Sequence, residues 1–383
     1  MEDAGMEDAG LAAADLRETV QAGRGRCTDL SLSYRDWAPP PELLVGAVTP
    51  KLLRVYHEQT TVLGTSLYEL PGAEVTEEGV VLLDGVFQYA AQLNIFSVNF
   101  EGHFRAIAAR LPDLRRVTVE EPVVMLTGMG HQMYGHWLVD FLPKLFLLDR
   151  AGHDITRLRY LLPADTPRFA RDWLGLLGIG EDRLVVYDRS RDLVVCRSLL
   201  VPTALRFISR ASPLMRQARR FLLDRAAPGS RWPPRWRLGR RREKQGSEKL
   251  LISRSDNADT LNRRTLAERA AFEEKAVARG FTPVRPERLS VPEQIALFRS
   301  AGTIIGEYGS GLHGSLFAGP GTTVVALRDN GLELGFLQSS IDHTLGHASG
   351  YVIGSERSEE GFFSVAPEDI DFLFDWLDWR GLR

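Results

Sequence analysis

At 383 residues, with 44% hydrophobic and 25% charged side chains, the chain has an ordinary globular composition and room for two domains. A formal net charge of −3 gives no global pull toward nucleic acid or an anionic membrane. Its two cysteines, Cys27 and Cys196, lie far apart; they exclude a disulfide framework and a cysteine zinc site, and they fit a reducing compartment.

The chain opens with an acidic direct repeat, residues 1–5 recurring as 6–10, and 1–29 reads as a flexible acidic N-terminus rather than a signal or transit peptide. No apolar run approaches the length of a bilayer span. Residues 30–225 read as an N-terminal α/β domain. In it, 80–86 is a hairpin turned at Asp84-Gly85. A strand over 123–126 leaves through Thr127-Gly128-Met129-Gly130. The run from Tyr134 to Leu148 is apolar enough for a nearly buried helix. Along it His136, Asp140 and Lys144 recur every four residues and share one polar stripe. A carboxylate buried there is paired or functional. A structural His–Asp pair, an Asp140–Lys144 ion pair and a catalytic role all fit this spacing. Pro143 predicts a kink, or two short helices meeting near Asp140. Further strands follow over 159–163, 183–187 and 193–201, with helices over 167–177 and 215–223.

Residues 226–248 read as a linker or loop rich in proline, glycine and arginine, with its basic residues concentrated in 231–244. A solvated charged loop is the simplest account; a peripheral contact with anionic head groups or glycans is the alternative. Residues 249–350 read as a second α/β domain. The apolar run 250–252 stops at Ser253-Arg254, and a charged helix is expected over 263–279 with Leu266, Ala270 and Val277 on one face. Ser290-Val291-Pro292-Glu293 is a capping box that starts the next helix. A buried strand at 303–305 runs into Glu307-Tyr308-Gly309-Ser310-Gly311, a helix starts at Leu312, and another strand spans 323–327.

Strand, helix, strand, helix, strand is the order of a parallel sheet, which binds ligands beyond the carboxyl ends of its strands. Glycines at 309 and 311 let backbone approach an anion, and the next helix offers free N–H groups. Arg254, also after a strand end, suits a diphosphate on the same rim. The competing account is a tight turn, with Arg254 paired to a surface carboxylate. His343 and His347 have metal-ligand spacing but no third candidate nearby. The segment 351–383 carries a final helix from Pro367; Phe372, Trp376 and Trp379 suggest core packing, or packing back across both domains.

Three stretches, taken in order, resemble glycosyltransferase family 61, which includes capsular-polysaccharide-type and EGF-domain O-GlcNAc-transferase-like enzymes. They are Gly135-His136-Trp137-Leu138 with Asp140 and Pro143-Lys144; Ile252-Ser253-Arg254 with Asn262-Arg263-Arg264; and Pro286-Glu287 through Glu293-Gln294 to Gly306, Gly309-Ser310-Gly311-Leu312 and Leu316-Phe317. The resemblance covers roughly 125–327 and departs at Tyr308, where many members have histidine. It implies a GT-B-like enzyme, two Rossmann-like halves facing a cleft. It also implies inverting transfer of a sugar from a nucleotide-diphosphate sugar to a hydroxyl of a glycan or other acceptor, without a metal or other cofactor. On that basis Asp140 is the candidate base and His136 its orienting partner or the alternative base. Arg254 and the Tyr308-Gly309-Ser310-Gly311-Leu312 turn would hold the donor. Arg263 would add charge, and Glu307 would read donor hydroxyls or cap the next helix. The one Asp-x-Asp, Asp369-Ile370-Asp371, sits where it suits helix capping, so no metal is expected.

The expected location is the cytoplasm, with at most a peripheral membrane contact through 231–244, and no nucleic-acid partner is expected. Donor sugar, acceptor and oligomeric state have no signature in the sequence. Two other classes fit parts of the pattern. One is a nicotinamide oxidoreductase using Gly309, Gly311, Gly314 and Asp329. The other is a non-catalytic nucleotide- or glycan-binding α/β protein.

Overall fold

The structure, a computed structural model, describes residues 12–57, 59–90, 100–227, 246–254, 264–331 and 336–381. The acidic repeat, the basic 231–244 stretch and Arg263 fall outside the described residues. The fold is mixed α/β with several sheets, and the chain divides into two compact units, 1–34 with 63–207 and 35–62 with 208–383. Residues 35–62 and 208–225, which the sequence pattern groups with the first half, thus belong to the second unit. The cause is long-range pairing. Strand Leu43–Gly46 joins the second unit's sheet beside Ala348–Ile353, and Arg219, from helix Met215–Ala226, donates to the Ala318 carbonyl.

In the first unit, one sheet holds four parallel strands: β1 (Val123–Met125), β2 (Arg159–Pro163), β3 (Leu184–Tyr187) and β4 (Ser198–Pro202). Their order is β3-β2-β1-β4, extended by the antiparallel strands Ser66–Pro71 and Arg26–Asp29. The chain therefore winds from β1 toward β3 on one side and returns to the other side of β1. The carboxyl ends of β1 and β4 flank the switch point where ligands of parallel sheets gather. A second sheet contains the expected hairpin, Val80–Leu83 and Val86–Tyr89, whose turn residues Asp84 and Gly85 have φ of +48° and +78°. Leu70, Val123 and Leu199 from the first sheet and Val75, Val81 and Val194 from the second close one core. Each such buried aliphatic side chain contributes ~1.5–3 kcal/mol.

In the second unit, β5 (Glu248–Ile252), β6 (Thr282–Val284), β7 (Ala301–Glu307), β8 (Thr323–Arg328) and β9 (Ala348–Ile353) are all parallel, in the order β6-β5-β7-β8-β9, with Leu43–Gly46 at the edge. The inner strands are near-continuous apolar runs because both faces are covered. Here the winding reverses between β5 and β7. The capping box forms as the sequence indicates: Glu293 accepts from the Ser290 backbone, and helix Val291–Ser300 starts there.

The helix expected over 263–279 is shorter, Arg269–Ala278. Thr265 and Leu266 instead pair with Phe362 and Phe363 as a strand, and the buried helix face is Phe272 and Ala276, with Val277 exposed. The final helix, Pro367–Gly381, corrects another expectation. Its Ile370, Leu373 and Phe374 sit in the second unit's own core with Leu251, Phe272, Phe281 and Val352, so its apolar face is occupied at home. Among the described residues no helix is long and apolar enough to cross a membrane.

Candidate functional site

In the first unit, β1 runs into a glycine turn and then into a helix built in three pieces. Tyr134–His136 is one α-turn, Trp137–Phe141 is π-helical, and Leu142–Arg150 is α-helical. Pro143 explains the break: it has no N–H for the Val139 carbonyl four residues back, so the ladder widens before it and restarts around it. The sequence anticipates this junction, and Asp140 lies in it.

The Asp140 carboxylate holds two partners. Its Oδ2 lies 2.6 Å from His136 Nδ1. An ionised carboxylate only accepts, so Nδ1 donates and the neutral ring carries its lone pair on Nε2. Arg206, four residues beyond the end of β4, completes a bidentate pair, Nε to Oδ1 at 2.5 Å and Nη2 to Oδ2 at 2.8 Å. Asp140 is 1% and Arg206 4% exposed, whereas the His136 side chain is 14% exposed, so solvent reaches the imidazole and not the ion pair. Burial alone would raise the Asp140 pKa. The Arg206 charge and the His136 donor outweigh it and hold the carboxyl well below the usual range. Asp140 is therefore a poor proton acceptor near neutral pH. Lys144 does not pair with it; its ammonium donates to the Leu126 carbonyl at 3.1 Å, and burial pushes its pKa down to about 8 against the pull of Asp140. Gly130, at φ +85°, supports the His136 ring so closely that a Cβ there would lie 2.8 Å from His136 Cδ2.

The second unit brings Arg254 and the glycine turn together, as the sequence suggests. A Cβ on Gly309 would lie 3.2 Å from Arg254 Nη1, so the guanidinium rests over that glycine. Arg254 Nη1 donates to the carbonyls of Arg264 and Tyr308 at 3.3 and 3.4 Å, and among the described residues it has no carboxylate partner. Burial lowers its pKa, with the charge of Glu307 opposing. Arg264 stands close by, also lowered by burial, and its guanidinium forms no hydrogen bond or ion pair among the described residues. Arg254 thus lies on the carboxyl rim of β5 and β7 without a hydrogen-bonded carboxylate among the described residues, and the Arg264 backbone adjoins it, the Arg264 side chain feeling the charge of Asp329.

The turn itself differs from the expected amide cradle. The amides of Leu312, His313 and Gly314 donate to the carbonyls of Gly309, Ser310 and Gly311, and the helix that follows, Leu312–Phe317, is a six-residue 3-10 helix. Gly311 is required by close approach, not by left-handed backbone: its φ is −65°, and a Cβ would meet Ile252 Cγ2 at 2.7 Å. Leu312 is fully buried in packing. Tyr308 is buried, edge-on to His313 at 6.3 Å, with the Arg328 guanidinium over its ring at 5.4 Å. Ser310 is exposed. Glu307 is buried and accepts from Arg269 and from the Leu266 N–H.

The remaining features of the sequence do not converge. Gly314 lies beneath the Phe298 ring, and the short 3-10 helix is no dinucleotide crossover, which removes the support for the nicotinamide reading. His347 is buried 3.5 Å from Asp342 while His343 is exposed, and Asp371 pairs with Lys275. Sequence reasoning missed Arg206 and Arg264. Arg206 carries only the signal of a basic residue shortly after a strand, and Arg264 was quoted in the motif without a role.

Residues 134–325 match the family Glycosyltransferase 61, a stretch of half the chain that runs through His136, Asp140, Arg206, Arg254 and the 308–312 turn. No curated protein matches the chain. The chain belongs to the glycosyltransferase 61 family, and its activity is accordingly sugar transfer between a donor and an acceptor.

Proposed function

We propose that the protein is an inverting glycosyltransferase with a GT-B-like division of labour. The first unit supplies the base, and the second holds a nucleotide-diphosphate sugar. The observation that carries this reading is the Arg206–Asp140–His136 relay, which ends on the one member with access to solvent. His136 is the base in this reading, and Asp140 is the group that orients it. Nε2 takes the proton of an acceptor hydroxyl, on a glycan or another acceptor, as that oxygen attacks the anomeric carbon. The bond from that carbon to the diphosphate oxygen breaks, and the diphosphate leaves with the electron pair. Asp140, kept ionised by Arg206, stabilises the imidazolium that forms, as the carboxylate does in hydrolytic triads.

Arg254 and Arg264, with the exposed Ser310, would hold the departing diphosphate in the role that a divalent cation plays elsewhere. The second unit's strand order, with Arg254 and Gly309 on either side of its switch point, supports this placement. Metal independence belongs to the same proposal, as do synthesis of a capsule-like polysaccharide and a cytoplasmic or membrane-peripheral location.

A thermal-shift screen of nucleotide-diphosphate sugars tests the reading, because a ligand of the native state raises its melting temperature by mass action. One donor class should stabilise the wild type and His136→Gln but not Arg254→Ala. With that donor and an acceptor, His136→Gln should lose at least ~100-fold in turnover. Normal turnover in His136→Gln would move the base elsewhere. Retention of anomeric configuration in the product would end the inverting mechanism. Activity lost in EDTA and restored by manganese would end metal independence. Donor binding without transfer to any acceptor would favour a non-catalytic binding protein.

A further inference from the structure

Beside the His136 helix lies a cluster of ionisable side chains that the reaction as drawn does not use. His131 is 0% exposed. Its Nε2 lies 2.9 Å from Asp165 Oδ1. Its Nδ1 is 3.8 Å from Glu78 Oε2, a charge-pair distance without a hydrogen bond, and Nδ1 has no other partner among the described residues. Arg189 spans both carboxylates, Nε to Asp165 at 2.9 Å and Nη1 to Glu78 at 3.3 Å. Asp165 follows β2 and Arg189 follows β3, so the cluster occupies the same carboxyl rim as the turn after β1.

With both carboxylates ionised, its charges balance in one state only. Two carboxylates face Arg189 and His131, and the sum is zero when His131 is protonated. The other polar neighbours are neutral or occupied elsewhere: Gln132 donates to Asp165, Tyr187 to the Glu77 carbonyl, and the Glu77 carboxylate pairs with Arg110. Burial alone would lower the His131 pKa; Glu78 and Asp165 outweigh it and raise it above the ordinary imidazole value.

The cluster is joined to His136 by short connections. Glu78 accepts the N–H of Gly130, at 3.1 Å, and Gly130 is the residue against which the His136 ring rests. The His131 carbonyl accepts the indole N–H of Trp137, next to His136, at 2.6 Å. Gly79 lies against the Thr127 carbonyl, where a Cβ would come within 3.1 Å. We propose that Glu78, His131, Asp165 and Arg189 are positioning residues, a charge-balanced clamp that fixes the 127–133 turn and through it the orientation and basicity of His136. The proposal rests on the reading of His136 as the base. Loss of the His131 proton leaves one carboxylate without a counter-charge, loosens the hold on Gly130 and frees the imidazole to leave its Nδ1–H tautomer.

The test uses the full-length protein with 15N-labelled histidine and long-range 1H–15N correlation, which reads imidazole charge and tautomer without substrate. His131→Gln keeps a donor toward Asp165 but cannot carry charge; Glu78→Gln removes the charge facing His131 and leaves one accepting oxygen where Gly130 and Arg189 each use one, with His131 in place. In the wild type, His131 should keep its proton to higher pH than an ordinary imidazole, and His136 should carry its proton on Nδ1. Either variant should mix the His136 tautomers, seen as loss of the single Nδ1–H pattern of the wild type. Once a donor and acceptor are known, either should also lower kcat by on the order of 10–100-fold with donor-induced stabilisation intact. The wild-type pH profile should fall on the alkaline side as His131 loses its proton, and His131→Gln should abolish that fall.

A His136 spectrum and pH profile unchanged in both variants, with only the melting temperature lowered, would reduce the cluster to scaffolding and overturn the proposal. Should His131→Gln fail to fold, Glu78→Gln decides alone. Normal turnover in His136→Gln, together with a perturbed His136 signal in Glu78→Gln, would remove the base assignment while leaving the clamp standing.

Discussion

Arg206 and Arg254 each follow a parallel strand at the gap where the winding of its own sheet reverses, and they meet opposite surroundings. Arg206 closes a bidentate pair on a buried carboxylate. Arg254 finds, among the described residues, only the carbonyl oxygens of Arg264 and Tyr308. One switch point is satisfied from within, and its charge serves to orient a neighbour. The other has no carboxylate hydrogen-bonded to it among the described residues, which is why the proposed function seats the donor's diphosphate there. A residue type at a strand end therefore says little until its partners are known.

The contrast is easiest to break by giving both sites the same truncation. Arg206→Ala leaves Asp140 buried without its counter-charge, and it should cost ~3–5 kcal/mol in urea unfolding. A cost below about 1 kcal/mol would mean the pair is not the anchor described here. Asp140→Asn is the next largest expected effect. It should lower turnover by at least ~100-fold, by withdrawing the acceptor that fixes the His136 tautomer, while donor-induced stabilisation survives. Unchanged turnover in the folded enzyme would detach Asp140 from the chemistry. Arg254→Ala should do the reverse of Arg206→Ala. Unfolding in urea should change little, and calorimetric affinity for the donor should drop by ~1.5–3 kcal/mol, the range for a charge-assisted hydrogen bond.

The smallest effect is a change in the slope of stability with pH. Asp140 has a depressed folded pKa, so its contribution is present above the unfolded carboxyl value and is lost as pH falls toward the lower folded one. His131 has a raised folded pKa, so its contribution is full below the unfolded imidazole value and is lost as pH rises through the folded one. Unfolding curves of His131→Gln should lack the alkaline decline and keep the acid one.

What was legible in the sequence was local. The i,i+4 spacing put His136 beside Asp140, proline at 143 marked the helix junction, and the Ser253-Arg254 and Gly309-Ser310-Gly311 stops after apolar runs placed two groups on one rim. What was illegible depends on distant partners. Nothing near Asp140 announces Arg206, sixty-six residues on, yet that pairing is the reason the proposed base is the imidazole and not the carboxylate. Nothing near Glu307 announces that Arg269 and the Leu266 amide will claim it. Thr265 and Leu266 read as helix by periodicity and became strand because Phe362 and Phe363 offered an edge.

Strand Leu43–Gly46 has a consequence for how the protein is made. It leaves the ribosome early, but its partner Ala348–Ile353 is translated roughly 300 residues later. At typical elongation rates that is a wait on the order of 15–60 s. The first unit is likewise discontinuous, yet it can close once residue 207 has emerged, whereas the second cannot complete its sheet until residue 353 has emerged. Vectorial folding therefore favours the unit with the His136 relay and leaves the rim that carries Arg254 to form last. A fragment cut in the 226–248 stretch would strand that edge with the wrong half, together with the Glu42–Arg380 ion pair. The bare side of β9 would then be open to pairing with other chains. Co-expression with a peptide carrying residues 35–62 should recover soluble C-terminal fragment where the fragment alone aggregates.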